Sequence, residues 1–287
     1  MELTLWTPPS RRAFPFDKPL KLIPLGDLHA GCDGFDGDRL HRMVKKAVAD
    51  DCWFYGMGDY TDFASASNRE KLIVAGLYET SRSLVDGAVD RVLDELKQIL
   101  EPTRGRWLGM LEGNHYWMFE DGVTSDQALA RYLGAPFHGT CGVTHVLFQE
   151  PPRRSATAVL WATHGRGGAS TKGTILRKLA AAITSWDATV YMMGHLHQLE
   201  SAKVDRGYTT HSRSPVLIAK PLLLVGTGSY LKGYQQGSRY GGRPRGSYVE
   251  RAMYPMTSLG SPLVTLTAKE DRIRGHKYIY VDPGVSY

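Results

Sequence analysis

Leu22-Ile23-Pro24-Leu25-Gly26-Asp27-Leu28-His29-Ala30-Gly31 is an apolar run of strand length that stops at a glycine and then presents a carboxylate and an imidazole two residues apart. In extended backbone that spacing places both side chains on one face, and the pair suits a divalent cation. Val190-Tyr191-Met192-Met193-Gly194-His195-Leu196-His197 repeats the pattern with two imidazoles. Between them Gly58-Asp59, Gly113-Asn114-His115 and His164-Gly165 each close a further apolar run. Successive strand-to-loop exits therefore all carry oxygen or nitrogen donors.

Outward from these exits, strands and helices alternate. Leu40, Met43, Val44 and Ala47 have helical spacing, predicting a helix over Asp38–Ala49 with Asp38 as its N-cap. Trp53–Met57 reads as a strand, and Leu84–Leu100 as a long amphipathic helix with Pro102 beyond its end. Arg106–Leu111, Thr157–Thr163 and Val190–Met193 read as strands, with helices over Ser125–Leu133 and Thr174–Thr184. Beyond His197 only β segments are predicted, over Val216–Val225, Leu263–Thr267 and Lys277–Val281. Alternation predicts βαβ crossovers and an α/β fold, and the tail predicts completion of a second sheet. The donors run from Asp27 to His197 without a visible linker, so residues 1–287 are expected to form one domain, with an Arg/Gly/Tyr-rich loop at about 226–251.

Composition excludes several classes. A hydrophobic share of 42% and a charged share of 22% are ordinary for a globular protein. Neither a signal-peptide pattern nor an apolar run of about 20 residues is present, so no membrane partner is expected. Cys32, Cys52 and Cys141 are odd in number and lack paired spacing, which fits free thiols in a reducing cytoplasm. Cys32, three residues after His29, stands close enough in sequence to support the donor cluster. The net charge of +6 is concentrated between Lys203 and Arg251, where nine cations face only Asp205 and Glu250. Such an excess points to polyanionic partners.

Singly these motifs are weak; in order they resemble the calcineurin-like metallophosphoesterases. The matching residues are Asp27-Leu28-His29, Gly58-Asp59-Tyr60-Thr61-Asp62, Gly113-Asn114-His115, His164-Gly165 and Gly194-His195-Leu196-His197, spanning about residues 20 to 200. The resemblance implies a four-layer αββα sandwich of two mixed β-sheets flanked by helices. It also implies one metal ion held by Asp27, His29 and His197, a second held by Asn114, His164 and His195, and Asp59 bridging them. His115 would face the substrate as the catalytic group. Asp62 reads either as its partner or as a helix N-cap before Ala64.

Oxygen donors mixed with imidazoles suit two divalent ions, manganese first, with iron, zinc or nickel as alternatives. The resemblance implies a phosphoester hydrolase in which a hydroxide shared by the metals attacks phosphorus. Two departures from the family pattern stand out. Tyr116 and Trp117 follow His115 where many relatives have an acid, and Asp62 occupies the position of the ligand tyrosine of purple acid phosphatases. Arg166, beside Gly167 and Gly168, could hold a phosphate oxygen or mark a tight turn. Arg239 and Arg243, interleaved with tyrosines, suit phosphate contacts and base stacking, and Trp117 and Phe119 could stack on a base or pack in the core. The first expectation is a phosphodiesterase acting on nucleic acid (DNA or RNA) or nucleotides. The alternatives are a phosphomonoesterase or cyclic-nucleotide phosphodiesterase, and a non-catalytic metal-binding scaffold.

Overall fold

In a computed structural model, residues 10–63, 78–168, 171–209, 215–234, 239–240, 243–244, 246–251, 253–273 and 275–287 are described. One sheet has the strand order β13-β12-β2-β3-β4, built from His276–Ser286, Leu263–Ile273, Leu20–Leu25, Trp53–Gly56 and Trp107–Met110 respectively. β2, β3 and β4 run parallel, whereas β12 joins β2 antiparallel. The other sheet has the order β1-β5-β6-β7-β9-β8, from Ser10–Pro15, Cys141–Glu150, Arg154–Thr163, Val190–Met193, Leu217–Thr227 and Leu199–Thr209. It is mixed too: β6, β7 and β9 are parallel, β5 pairs antiparallel with β6 but parallel with β1, and β8 pairs antiparallel with β9.

The two sheets stack face to face. Leu22, Tyr55, Leu108 and Val264 from the first pack against Val146, Phe148, Leu160, Met192 and Val225 from the second in one buried cluster. On the outer face of the first sheet lie α1 (Gly37–Ala49), α2 (Glu79–Leu100) and α3 (Ser125–Leu133). Leu40, Val44, Val89, Leu93, Leu96 and Leu129 bury their apolar stripes against Ile23, Leu25 and Phe54. α4 (Thr174–Ala182) covers the second sheet through Ile175 and Leu179, which meet Trp161, Tyr191 and Leu224. The protein is thus a four-layer αββα sandwich. A central strand such as β2 is apolar on both faces because Leu22 faces the other sheet while Ile23 faces the helices.

Several boundaries differ from the sequence expectation. α1 begins one residue earlier, because the Asp36 side chain, not Asp38, accepts the Arg39 N–H as N-cap. α2 extends back to Glu79. Outside the expected loop at 226–251, three strands escaped the reading: β1, β5 and β8. Within the expected loop at 226–251, β9 continues to Thr227, Arg239–Tyr240 (β10) pairs antiparallel with Arg243–Pro244 (β11), and Tyr248–Arg251 (α5) forms a single helical turn. Among the described residues no helix is long and apolar enough to cross a membrane.

Candidate metal centre

The parallel strands β2, β3, β4, β6 and β7 deliver their C-terminal loops to one edge of the sandwich, where the donor-bearing exits meet. The first two exits are zipped together by backbone bonds. Asp27 N–H donates to the Gly58 carbonyl at 2.9 Å, and Leu28 and His29 N–H both donate to the Asp59 carbonyl. This close approach requires glycine, since a Cβ on Gly26 would lie 2.6 Å from the Met57 Cβ. The third exit is tied down by a carboxylate. Asp59 Oδ1 accepts the N–H groups of Asn114 and His115 at 2.6 and 2.9 Å. A Cβ at Gly113 would fall 2.0 Å from that same oxygen.

Asp27 and His29 do not sit in extended backbone as the spacing suggested. Asp27, His29, Asp59, His195 and His197 all have positive φ, between 48° and 64°. The strand stops at Leu25, and tight left-handed bends aim each donor inward. Such strain in non-glycine residues gathers where a site demands it.

The donors converge. Asp27, His29 and His197 offer ligand atoms within 4.8 Å of one another, as do Asp59, His164 and His195. His164 Nε2 lies 3.0 Å from Asn114 Oδ1, so the amide joins the second group. Asp59 Oδ2 sits between the groups, 3.2 Å from His164 Nε2 and 3.9 Å from His29 Nε2. The outer nitrogen of His164 is committed: Nδ1–H donates to the Met57 carbonyl at 2.7 Å, which turns the Nε2 lone pair inward. Asp27 accepts the His195 N–H at 2.9 Å, linking the first exit to the last.

The buried carboxylates and imidazoles shift one another strongly. Burial pushes the Asp27 carboxyl up to about 7, against the pull of His164. Asp59 is equally buried, yet His164 and His29 hold it well below the usual carboxylate range. Burial disfavours charge on His164 as well, but Asp59 outweighs it and raises that imidazole to about 9. His195 falls to about 4 through burial and then through His164, and burial likewise drives His197 down. One further feature fits a cation: His29 Nε2 and His197 Nε2 point at each other across 3.1 Å. Imidazoles and carboxylates crowded this way are the donor set that transition metals take, a bound cation replacing the protons that His164 and Asp27 hold without it.

A third group adjoins these. His115 Nδ1 lies 2.7 Å from Asp62 Oδ1, and Asp62 Oδ2 lies 3.5 Å from His29 Nδ1. Burial opposes charge on Asp62, but both imidazoles hold its pKa well below normal. Asp62 thus supplies support for His115; residues from Ala64, where it would act as an N-cap, lie outside the described residues. Cys32 does adjoin Asp62, and its thiol is raised mainly by burial.

Other expected residues stand elsewhere. Trp117 is 3% exposed and donates its indole N–H to Asp86, so it packs in the core and shows no face to a base. Phe119 leans on the same cluster. Arg166 is exposed beside the site, while Gly167 and Gly168 line its cavity. The side chains of Arg239 and Arg243 lie outside the described residues. One supporting group was missed: Asp126 accepts the Gly113 N–H at 2.9 Å. In sequence it reads only as an acid in the first turn of α3.

No family model matches the chain, and no curated protein matches it. Among solved structures, a predicted phosphoesterase from Streptococcus pneumoniae is 13% identical over 92% of this chain and 99% of its own, with a TM-score of 0.32. Vacuolar protein sorting 29 from Cryptosporidium parvum is 13% identical over 94% and 100%, TM-score 0.34. Vps29 complexed with zinc, from Entamoeba histolytica, is 9% identical over 92% and 99%, TM-score 0.35. Scores and identities this low leave the architecture and the donor cluster to rest on the chain's own coordinates.

Proposed function

We propose that the chain is a dimetal phosphoester hydrolase of the calcineurin-like type, acting on phosphodiesters of the nucleotide class. The observation that carries this reading is the position of Asp59 Oδ2 between two groups of metal donors, one with His164 and the other with His29. Asp27, His29 and His197 would hold one divalent ion, Asn114, His164 and His195 the other, with Asp59 shared and manganese the first candidate. Bound there, such a pair supplies Lewis acidity toward phosphoryl oxygens and toward a shared water.

The chain's own residues do the rest. Asp62 fixes His115 through Nδ1, which leaves Nε2 to face the cavity that His115 lines together with His29 and His195. From there His115 donates a proton to the departing ester oxygen, a role worth about 10²–10⁴ in rate. The Gly113 N–H clamp by Asp126 and the Asp59 contacts to Asn114 and His115 hold that loop in register.

The test is Mn²⁺-loaded protein on bis(p-nitrophenyl) phosphate and on p-nitrophenyl phosphate, beside His115→Ala. Diester turnover that collapses in the variant, with two ions still bound, supports the reading. Robust monoester turnover without diester cleavage would overturn the diester assignment, and absence of bound metal after reconstitution would overturn the whole.

A further inference from the structure

The donor cluster opens into a cavity of about 420 Å³, within the size range of small-molecule sites. Its far wall is apolar and comes from a part of the chain that carries no metal donor: Leu231, Tyr234, Val249, Tyr254, Met256 and Leu259. The wall is fastened to the site itself. Ser229 Oγ–H and Tyr230 N–H both donate to the carbonyl of Asp27, at 2.9 and 3.0 Å. Residues 230–232 then pair with the loop after His29, through Asp36 N–H to the Tyr230 carbonyl and Lys232 N–H to the Gly34 carbonyl. A Cβ on Gly34 would lie 2.8 Å from Leu231 Cδ1, and one on Gly233 2.7 Å from Val249 Cβ, so the turn packs without slack. Tyr234 closes it by donating its hydroxyl to the Tyr254 carbonyl.

We infer that this wall is the seat of one ester arm of the substrate, and that the arm is a single aromatic or heteroaromatic group of nucleoside size. The inference rests on the hydrolase reading for the phosphate and on the wall alone for the arm. Tyrosine faces and a methionine thioether beside aliphatic side chains suit a flat ring. The cavity's volume of about 420 Å³ suits one such arm.

The experiment compares binding before turnover. Calorimetric titration of Mn²⁺-loaded protein with thymidine 5′-monophosphate and with methyl phosphate, which share the phosphate and differ in the arm, should show a preference of at least about tenfold for the nucleotide from apolar burial. Val249→Trp and Met256→Trp, each filling the cavity, should shrink that preference. Met256 is 68% exposed, so the second variant leaves the core packing alone. Equal affinities in the wild type, or a preference that survives both fillings, overturns the inference. Turnover of thymidine 5′-(p-nitrophenyl) phosphate should likewise exceed that of methyl p-nitrophenyl phosphate, mainly through KM. Duplex DNA cleaved with a higher kcat/KM than the thymidine ester also overturns it. If no ester is hydrolysed while the binding preference and its loss on filling persist, the cavity assignment stands and the hydrolase reading falls.

Discussion

Asp62 stands between two imidazoles, with Oδ1 2.7 Å from His115 Nδ1 and Oδ2 3.5 Å from His29 Nδ1. One carboxylate therefore couples a group proposed for proton transfer to a group proposed for metal binding. Asp62→Asn keeps an acceptor for His115 and removes the charge. Diester turnover should fall by about 10- to 100-fold. His115→Ala should cost more, about 10²–10⁴-fold, with metal content unchanged. Parallel kinetics and elemental analysis separate the two. Equal loss of metal in both variants would show that His115 supports binding rather than proton transfer.

Gly113 and Gly87 should respond to alanine in opposite ways. At Gly113 the new Cβ would sit 2.0 Å from Asp59 Oδ1 and 2.1 Å from Asp59 N, so either the Asn114 loop or Asp59 must move. Gly113→Ala should lower both Tm and metal stoichiometry. Gly87 lies inside α2 with nothing within 4 Å of its Cβ direction. There alanine should stabilise by about 0.5–1 kcal/mol. Thermal melts of both variants, with and without Mn²⁺, check the contrast.

The donors at the strand ends were legible because each follows an apolar run and sits beside a glycine, and glycine there answers a local steric demand, as at Gly26 and Gly113. β1, β5 and β8 were not legible. β8 is exposed along most of its length and carries Lys203, Asp205 and Arg206 at the sheet edge. Its strand character comes from pairing with β9, which no local periodicity encodes. β1 is likewise an edge strand, paired with residues more than a hundred positions away. Asp126 and the Leu231–Leu259 wall were illegible for the same reason: their roles exist only through partners distant in sequence.

His138 should add an acid-sensitive share of stability. It is buried, stacks on Tyr55 and meets the Cβ positions of Gly109 and Gly142 at 2.6 and 2.8 Å. Burial lowers its pKa from the usual 6.5, against a backbone contact at Leu108. A depressed histidine binds its proton more readily when unfolded, so its contribution is whole above about 6.5 and declines as pH falls toward the folded value. The Tm advantage of wild type over His138→Gln should therefore narrow between pH 8 and pH 5. A constant gap would show that His138 contributes by packing alone.

Asp126 carries the opposite sign. It is 1% exposed, and burial pushes its carboxyl up to about 7, against the Gly113 N–H that it accepts. A raised acid holds its proton in the folded chain after the unfolded chain has released it, so the stability linked to that proton is complete below the ordinary 3.8 and lost as pH climbs through about 7. Asp126→Asn stays uncharged at every pH and can still accept from Gly113 through its amide oxygen. In metal-free protein the Tm of the variant relative to wild type should rise between pH 5 and pH 8. Loading Mn²⁺ should shrink that rise, because cations beside Asp59 stabilise a neighbouring carboxylate. A pH-independent difference would show that Asp126 is ionised throughout and that its bond to Gly113 offsets its burial.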